Sequence, residues 1–166
     1  MILRPGDFEH PQVIELLRLH LHGMQQSSPP ESFFALDLSG LKRPDITFVT
    51  AWEDGELLGC GALRELSQVH GEIKSMRTDP RWLRKGVAAR ILEHLLDTAR
   101  TRGYQTVSLE TGSGTAFEAA VSLYLRFGFV KGDVFGDYTA TGFSQFFHLA
   151  LTPKPSHPGN GATAGS

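Results

Sequence analysis

Arg84-Lys85-Gly86-Val87-Ala88 stands where a strand-like run hands over to the clearest helical period in the chain. The first turn of a helix carries unpaired backbone N–H groups and the positive end of the helix dipole, and together these attract pyrophosphate. Gly86 lets such an anion approach the backbone, Ala88 keeps the second turn open, and two basic side chains add attraction. The loop is neither Gly-x-x-x-x-Gly-Lys-Ser/Thr nor Gly-x-Gly-x-x-Gly, which sets aside the common nucleotide-binding motifs. Among other reactive types, Cys60 is the single cysteine. It lies in the apolar run Leu58-Gly59-Cys60-Gly61-Ala62 and reads as a small buried hydrophobe with no disulfide partner. Seven histidines invite a metal hypothesis. His20 and His22 are two apart on a helix and so point to different faces, and the rest are scattered, so no metal is expected. Trp52, Phe143, Phe146 and Phe147 read as core or pocket lining rather than as base-stacking residues.

The elements that must position this loop follow from periodicity. Met1 to Leu3 form a short strand closed by Arg4-Pro5. Pro11 suits a first helical turn. Val13, Leu16, Leu17, His20, Leu21 and Met24 then recur at helical spacing. Ser27-Ser28-Pro29-Pro30 breaks that helix, and Glu31 to Leu38 read as a second, short one ending near Gly40. Ile46 to Trp52 alternate as a strand. Asp54-Gly55 is a strong hairpin signal before the run Leu57–Leu63, because both turn residues must tolerate positive φ. Gly71 to Thr78 add a third antiparallel strand. Pro80 to Lys85 form a loop. The helix opened by Gly86 buries Val87, Ile91, Leu92, Leu95, Leu96 and Ala99, with Gly103 just past its end. Thr106 to Glu110 are a strand, Phe117 to Phe127 a helix, Gly128 to Val130 the start of a strand, and Ser144 to Leu151 the last one.

The resulting order is an α/β class chain with a mixed sheet of about six or seven strands and about four helices on both faces. Its strand-helix-strand unit between Thr78 and Glu110 must be a parallel, right-handed crossover. A length of 166 residues suits one domain, expected over 1–151, with a Pro/Gly-rich tail over 152–166 expected to be disordered. Sixteen basic and 18 acidic side chains give a net charge of −2, which argues against a sequence-independent nucleic-acid binder. No run approaches the ~18 apolar residues of a membrane span. The chain opens on no apolar signal core, so a soluble, cytoplasmic protein is expected.

Two segments carry a family resemblance. Thr78-Asp79-Pro80 with Leu83-Arg84-Lys85-Gly86-Val87-Ala88-Ala89-Arg90-Ile91-Leu92 resembles the acyl-CoA signature of the GNAT superfamily of N-acetyltransferases, Gln/Arg-x-x-Gly-x-Gly/Ala. Leu123-Tyr124-Leu125-Arg126-Phe127-Gly128-Phe129 is similar to that superfamily's second signature, Leu-Tyr-x-x-x-Gly-Phe. The likeness spans Met1 to about Leu151 and is to small stand-alone bacterial enzymes. Two positions depart from it. Leu83 replaces the usual Gln or Arg, and Phe117 stands where an asparagine often precedes the second signature, leaving Ser113 or Thr111 as substitutes.

The resemblance implies a GNAT-like fold and direct acetyl transfer from acetyl-CoA to an amine in a ternary complex. Arg84, Lys85, Gly86, Val87, Ala88 and Ala89 would hold the pyrophosphate through their backbone. Met76, Arg77 and Thr78 would align pantetheine where the parallel strands splay, with a backbone N–H there polarising the thioester carbonyl. Tyr124 would protonate the leaving thiolate. Glu72 or Glu110 would take the proton of the amine, Glu72 sharing a face with Lys74 and Met76 if its strand is regular. Acceptor contacts are expected from Met24, Ser28, Pro29, Glu31, Phe34, Phe135, Asp137 and Tyr138, the two carboxylates suiting a cationic amine. A small-molecule amine or an amino-acid derivative is the expected acceptor, and a homodimer through late strands is common among relatives. Two other readings stay open: an acyl-CoA-binding sensor without catalysis, and a protein or peptide N-acetyltransferase. A nucleotide-binding regulatory domain would need a phosphate motif that the chain lacks.

Overall fold

A computed structural model of the chain describes residues 1–24 and 38–152, with the backbone alone for 20–24. Among them, β1 (Ile2–Pro5), β2 (Ile46–Glu53), β3 (Glu56–Ser67), β4 (His70–Thr78), β5 (Thr106–Thr111), β6 (Val130–Gly132) and β7 (Gln145–Ala150) form one sheet. Its spatial order is β1-β2-β3-β4-β5-β7-β6. The helices are α1 (Pro11–Met24), α2 (Val87–Thr101) and α3 (Glu118–Arg126), and residues 38–41 are helical too. No helix among the described residues is long and apolar enough to cross a membrane.

The β2–β3 hairpin turns on Asp54 and Gly55, both at positive φ (51° and 78°), as the Asp-Gly signal requires. The pairing of β4 with β5 is parallel and the other described pairs are antiparallel, so α2 is the crossover. Two apolar clusters lie on opposite faces. Cys60 and Ala62 of β3 join Val13, Leu16 and Leu17 of α1, whereas Leu63, Ile73, Val107 and Leu109 meet Ile91, Leu92 and Leu95 of α2. Each large aliphatic that α2 buries contributes roughly 1.5–3 kcal/mol. Gly59 fits β3 tightly against β4, since a Cβ there would sit 2.7 Å from the Arg77 carbonyl oxygen.

β4 is not a regular strand. Cys60 pairs with Arg77 and Ala62 with Lys74, so β4 carries one residue more than β3 across this stretch. Ser75 takes up the excess at φ 56°, a left-handed conformation that costs on the order of 1–3 kcal/mol for a side-chain-bearing residue. The bulge changes which side the following residues serve. Met76 therefore packs on the α2 face beside Ile91 and Leu95, not with Glu72 and Lys74. The shared face expected of Glu72, Lys74 and Met76 is corrected on this ground.

Smaller differences have similar local causes. Tight turns of 3-10 type at Pro80–Trp82 and Thr115–Phe117 occupy what periodicity reads as loop and helix start. β6 begins at Val130 rather than Gly128, whose φ of 98° is incompatible with a strand. Phe143 lies outside β7 and is 56% exposed, unlike Phe146 and Phe147. The helical residues 38–41 run through Gly40, while the rest of the short helix expected from Glu31 lies outside the described residues.

Candidate active site

β4 and β5 stay paired only from His70–Thr106 to Ile73–Leu109. Beyond that point β4 continues to Thr78 and β5 to Thr111 without contact, so the sheet opens into a gap. The chain leaves β4 through a fixed turn. Asp79 accepts from the Arg81 backbone N–H (2.9 Å) and side chain (3.2 Å), and this side-chain bond first of all holds its carboxyl below the usual range. Gly86, at φ 82°, then opens α2. From Arg84 to Ala89, six consecutive backbone N–H groups have no acceptor among the described residues. Arg77 Nε and Trp82 Nε1 are buried without partners in the same segment. Such a run of bare donors at a helix start fits a pyrophosphate. Leu83 is 56% exposed, so its departure from the signature leaves the backbone cradle intact.

Glu72 is 1% exposed on the side of β4 away from α2. Tyr138 Oη donates to its Oε2 at 2.5 Å, and Lys74 Nζ lies 3.7 Å from the same oxygen. Oε1 has no hydrogen-bond partner, with Arg64 Nη1 4.0 Å away. Burial, then the bond to Glu72, pushes the Tyr138 phenol well above its ordinary pKa, so it stays a donor at neutral pH. Glu110 lies on the same side and accepts from Ser144 Oγ at 2.7 Å. Beside Glu72 a cavity of about 240 Å³ opens between residues 40–46 and β4, with Arg43, Arg64, Lys74 and Ser75 in its lining.

Tyr124 belongs to the other face. It projects from α3 into the α2 cluster, 7% exposed, its ring edge-on to Phe129 at 5.8 Å. Burial pushes its pKa up to about 12, so the phenol is protonated at pH 7, and no described residue hydrogen-bonds its hydroxyl. Ser113 Oγ donates to the Phe143 carbonyl (2.8 Å), so its hydrogen is already used and its lone pairs alone are left to accept. Phe117 itself packs edge-on to Phe143.

A further polar chain runs across the sheet next to Glu72. His148 Nε2 lies 2.8 Å from the Asp133 carbonyl, which only accepts, so this nitrogen carries the proton. His148 Nδ1 then accepts from buried Ser108 Oγ (2.7 Å), and Ser108 accepts from His70 Nε2 (2.7 Å). Burial first, then the neighbouring His148, lowers the His70 pKa against the pull of Glu72. A folded-state pKa below the unfolded one means that the unfolded chain takes the proton first. This stabilisation is full above the ordinary histidine value of about 6.5 and is lost as pH falls below it. The melting-temperature advantage of the wild type over His70→Gln is therefore expected to shrink from about pH 7 to about pH 5. A constant difference would show that His70 does not titrate with folding.

Of the acceptor residues expected from the sequence, Tyr138 stands against Glu72, Phe135 packs on Tyr138 at 5.3 Å, and Asp137 is exposed. Ser28, Pro29, Glu31, Phe34 and the side chain of Met24 lie outside the described residues. Periodicity missed Arg64, Lys74, His70, Ser108 and His148. Their signal is polar residues alternating with Ile73, Val107 and Leu109 on strands whose other face is core. Among the described residues no cluster of three or more His, Cys, Asp or Glu could hold a metal ion.

A sheet that opens at its parallel pair, beside a helix start able to hold a pyrophosphate, is the arrangement expected of an acyl-CoA-dependent transferase. Residues 11–129 match the Acetyltransferase (GNAT) family, and the chain belongs to it. It is 52% identical over 151 residues to the uncharacterized N-acetyltransferase YsnE of Bacillus subtilis strain 168, covering 91% of this chain and 100% of that one. It is 46% identical over 156 residues to the uncharacterized N-acetyltransferase YedL of Escherichia coli K12, covering 94% and 98%. Among solved structures, the fold is similar to PaiA N-acetyltransferase from Thermoplasma acidophilum in complex with coenzyme A. That likeness has a TM-score of 0.72 at 18% identity and covers 90% of this chain and 98% of the other. The protein is an N-acetyltransferase with acetyl-CoA as its co-substrate.

Proposed function

We propose that the enzyme acetylates the amine of a small molecule by direct attack within a ternary complex. The observation that supports this reading is the run of unpartnered backbone N–H groups from Arg84 to Ala89 beside the end of the β4–β5 pairing, with Glu72 and Tyr124 on opposite faces of the sheet. The backbone from Arg84 to Ala89 holds the pyrophosphate. Met76, Arg77 and Thr78 line the gap and present a backbone N–H to the carbonyl oxygen as negative charge develops there. Glu72 takes the proton of the attacking ammonium. Its hydrogen-bonded burial against Tyr138 fixes its orientation, while Ser144 already engages one oxygen of Glu110. The amine nitrogen forms its bond to the acetyl carbon as the C–S bond breaks; its second proton passes through water to the departing thiolate, which leaves toward Tyr124. The same reading puts the enzyme in the cytoplasm with its acetyl-CoA pool.

Tyr124 acts here as a hydrogen-bond donor to the departing sulfur. With a pKa of about 12, full transfer to a thiolate is uphill until water re-enters the gap. A thiolate is also a good leaving group, so the gain is modest. Tyr124→Phe is expected to lower kcat ~10-fold, about one hydrogen bond to a charged group, with acetyl-CoA affinity unchanged. Unchanged kcat would remove the role.

The reading as a whole is tested by calorimetric titration with acetyl-CoA, with ATP and NAD as controls, followed by an amine panel read through free CoA thiol. Micromolar binding of acetyl-CoA alone, with thiol released by a small amine, supports it. Binding without thiol release from any amine would favour a sensor, and acetylation of proteins alone a peptide-directed enzyme.

A further inference from the structure

The cavity beside Glu72 has an unbalanced charge. Arg43, Arg64 and Lys74 stand in its lining, against two carboxylates, Asp45 and Glu72. Asp45 serves both arginines and meets each through Nε, at 3.3 Å, one oxygen apiece. Among the described residues no acceptor hydrogen-bonds the terminal nitrogens of either guanidinium, and Arg64 Nη1 is 4.0 Å from Glu72, beyond a hydrogen bond. Two forks, each with several N–H groups unused, are the geometry that takes a carboxylate in a bidentate manner. Behind the lining residues Lys74 and Arg64, whose nitrogens lie 3.7 and 4.0 Å from its carboxylate, Glu72 holds a buried Oε1 that lacks a donor. An ammonium supplies one. Anion-binding groups and a donor-seeking carboxylate thus lie about one side chain's reach apart, and a polycation would find three positive charges in its way.

Resting on the acetyltransferase reading above, we propose that the acceptor is an amine that also bears a carboxylate, an α-amino acid or close analogue. Its carboxylate is held by Arg64 and Arg43, and its amine is turned to Glu72. This departs from the cationic acceptor that Glu31 and Asp137 suggest in the sequence. Asp137 is exposed and takes no part in the cavity lining.

The test measures free CoA thiol with the common L-amino acids, the carboxamide of each, and spermidine. The best amino acid is expected to exceed its own carboxamide ~10–100-fold in kcat/KM, mostly through KM, as loss of a charge-assisted bidentate contact implies. That ratio is expected to fall toward one in Arg64→Gln and by several-fold in Arg43→Gln. Arg43 has a side chain 60% exposed, so its variant keeps the fold if Arg64→Gln does not. Carboxamides or spermidine used as well as the acids, or a ratio that survives both substitutions, would overturn the proposal and leave acetyl transfer standing. No thiol from any acceptor, together with no calorimetric binding of acetyl-CoA, would remove both readings. Acetyl-CoA binding without thiol release from the acids removes this one.

Discussion

Gly86→Glu is expected to weaken acetyl-CoA binding at least ~100-fold while the protein still melts cooperatively, because it sets a like charge against the bound pyrophosphate. Nothing lies within 4 Å of a Cβ added at Gly86, so the fold meets no clash there. The φ of 82° makes any side chain pay backbone strain of roughly 1–2 kcal/mol. A glutamate adds its carboxylate to the N–H groups from Arg84 to Ala89, in the place meant for the ligand. Gly86→Ala separates the two effects, since it carries the strain without the charge and is expected to bind within a few-fold of wild type. Calorimetry and a thermal melt on both variants decide the matter. Wild-type affinity in Gly86→Glu would mean that the pyrophosphate sits elsewhere.

Glu72→Gln is expected to lower kcat ~10²–10³-fold, within the usual range for loss of a positioned base, with acetyl-CoA affinity retained. The carboxamide preserves an acceptor for the Tyr138 hydroxyl, so geometry survives while proton uptake does not. Removing this charge leaves Lys74 and Arg64 less compensated, so stability falls too, and kcat must be measured below the variant's melting transition. Near-normal turnover in Glu72→Gln, with turnover lost in Glu110→Gln, would move the base to β5.

Local signals made most of the fold legible. The Asp-Gly turn, the apolar stripe of α2 and the strand-helix-strand unit each declare themselves within a few residues, and together they compel the parallel β4–β5 pair. The helix start at Gly86, with its bare backbone donors, was equally visible, because it draws its chemistry from its own backbone. The polar face of the sheet around Glu72 was not. Tyr138 reaches Glu72 across 66 positions of sequence, and Ser108 joins His70 and His148 across 38 and 40. Only the strand register brings such residues together, and no composition rule contains it. The same holds for Arg64, which follows the apolar run Leu57–Leu63 and meets Asp45 and Glu72 only through the fold. Ser75 gave no warning either. A positive φ at a residue other than glycine, asparagine or aspartate has no signature in its identity.

One extra residue at Ser75 has a consequence for how such an enzyme changes over time. Ahead of it, Glu72 and Lys74 share the polar face of β4; past it, the opposite parity applies and Met76 belongs to the packing under α2. The two duties of the strand are thereby uncoupled within three positions. A substitution at Lys74 then alters the polar face of β4 without touching the contacts that hold the helix in place. A lineage with this strand is free to vary its polar face while inheriting the helix packing unaltered.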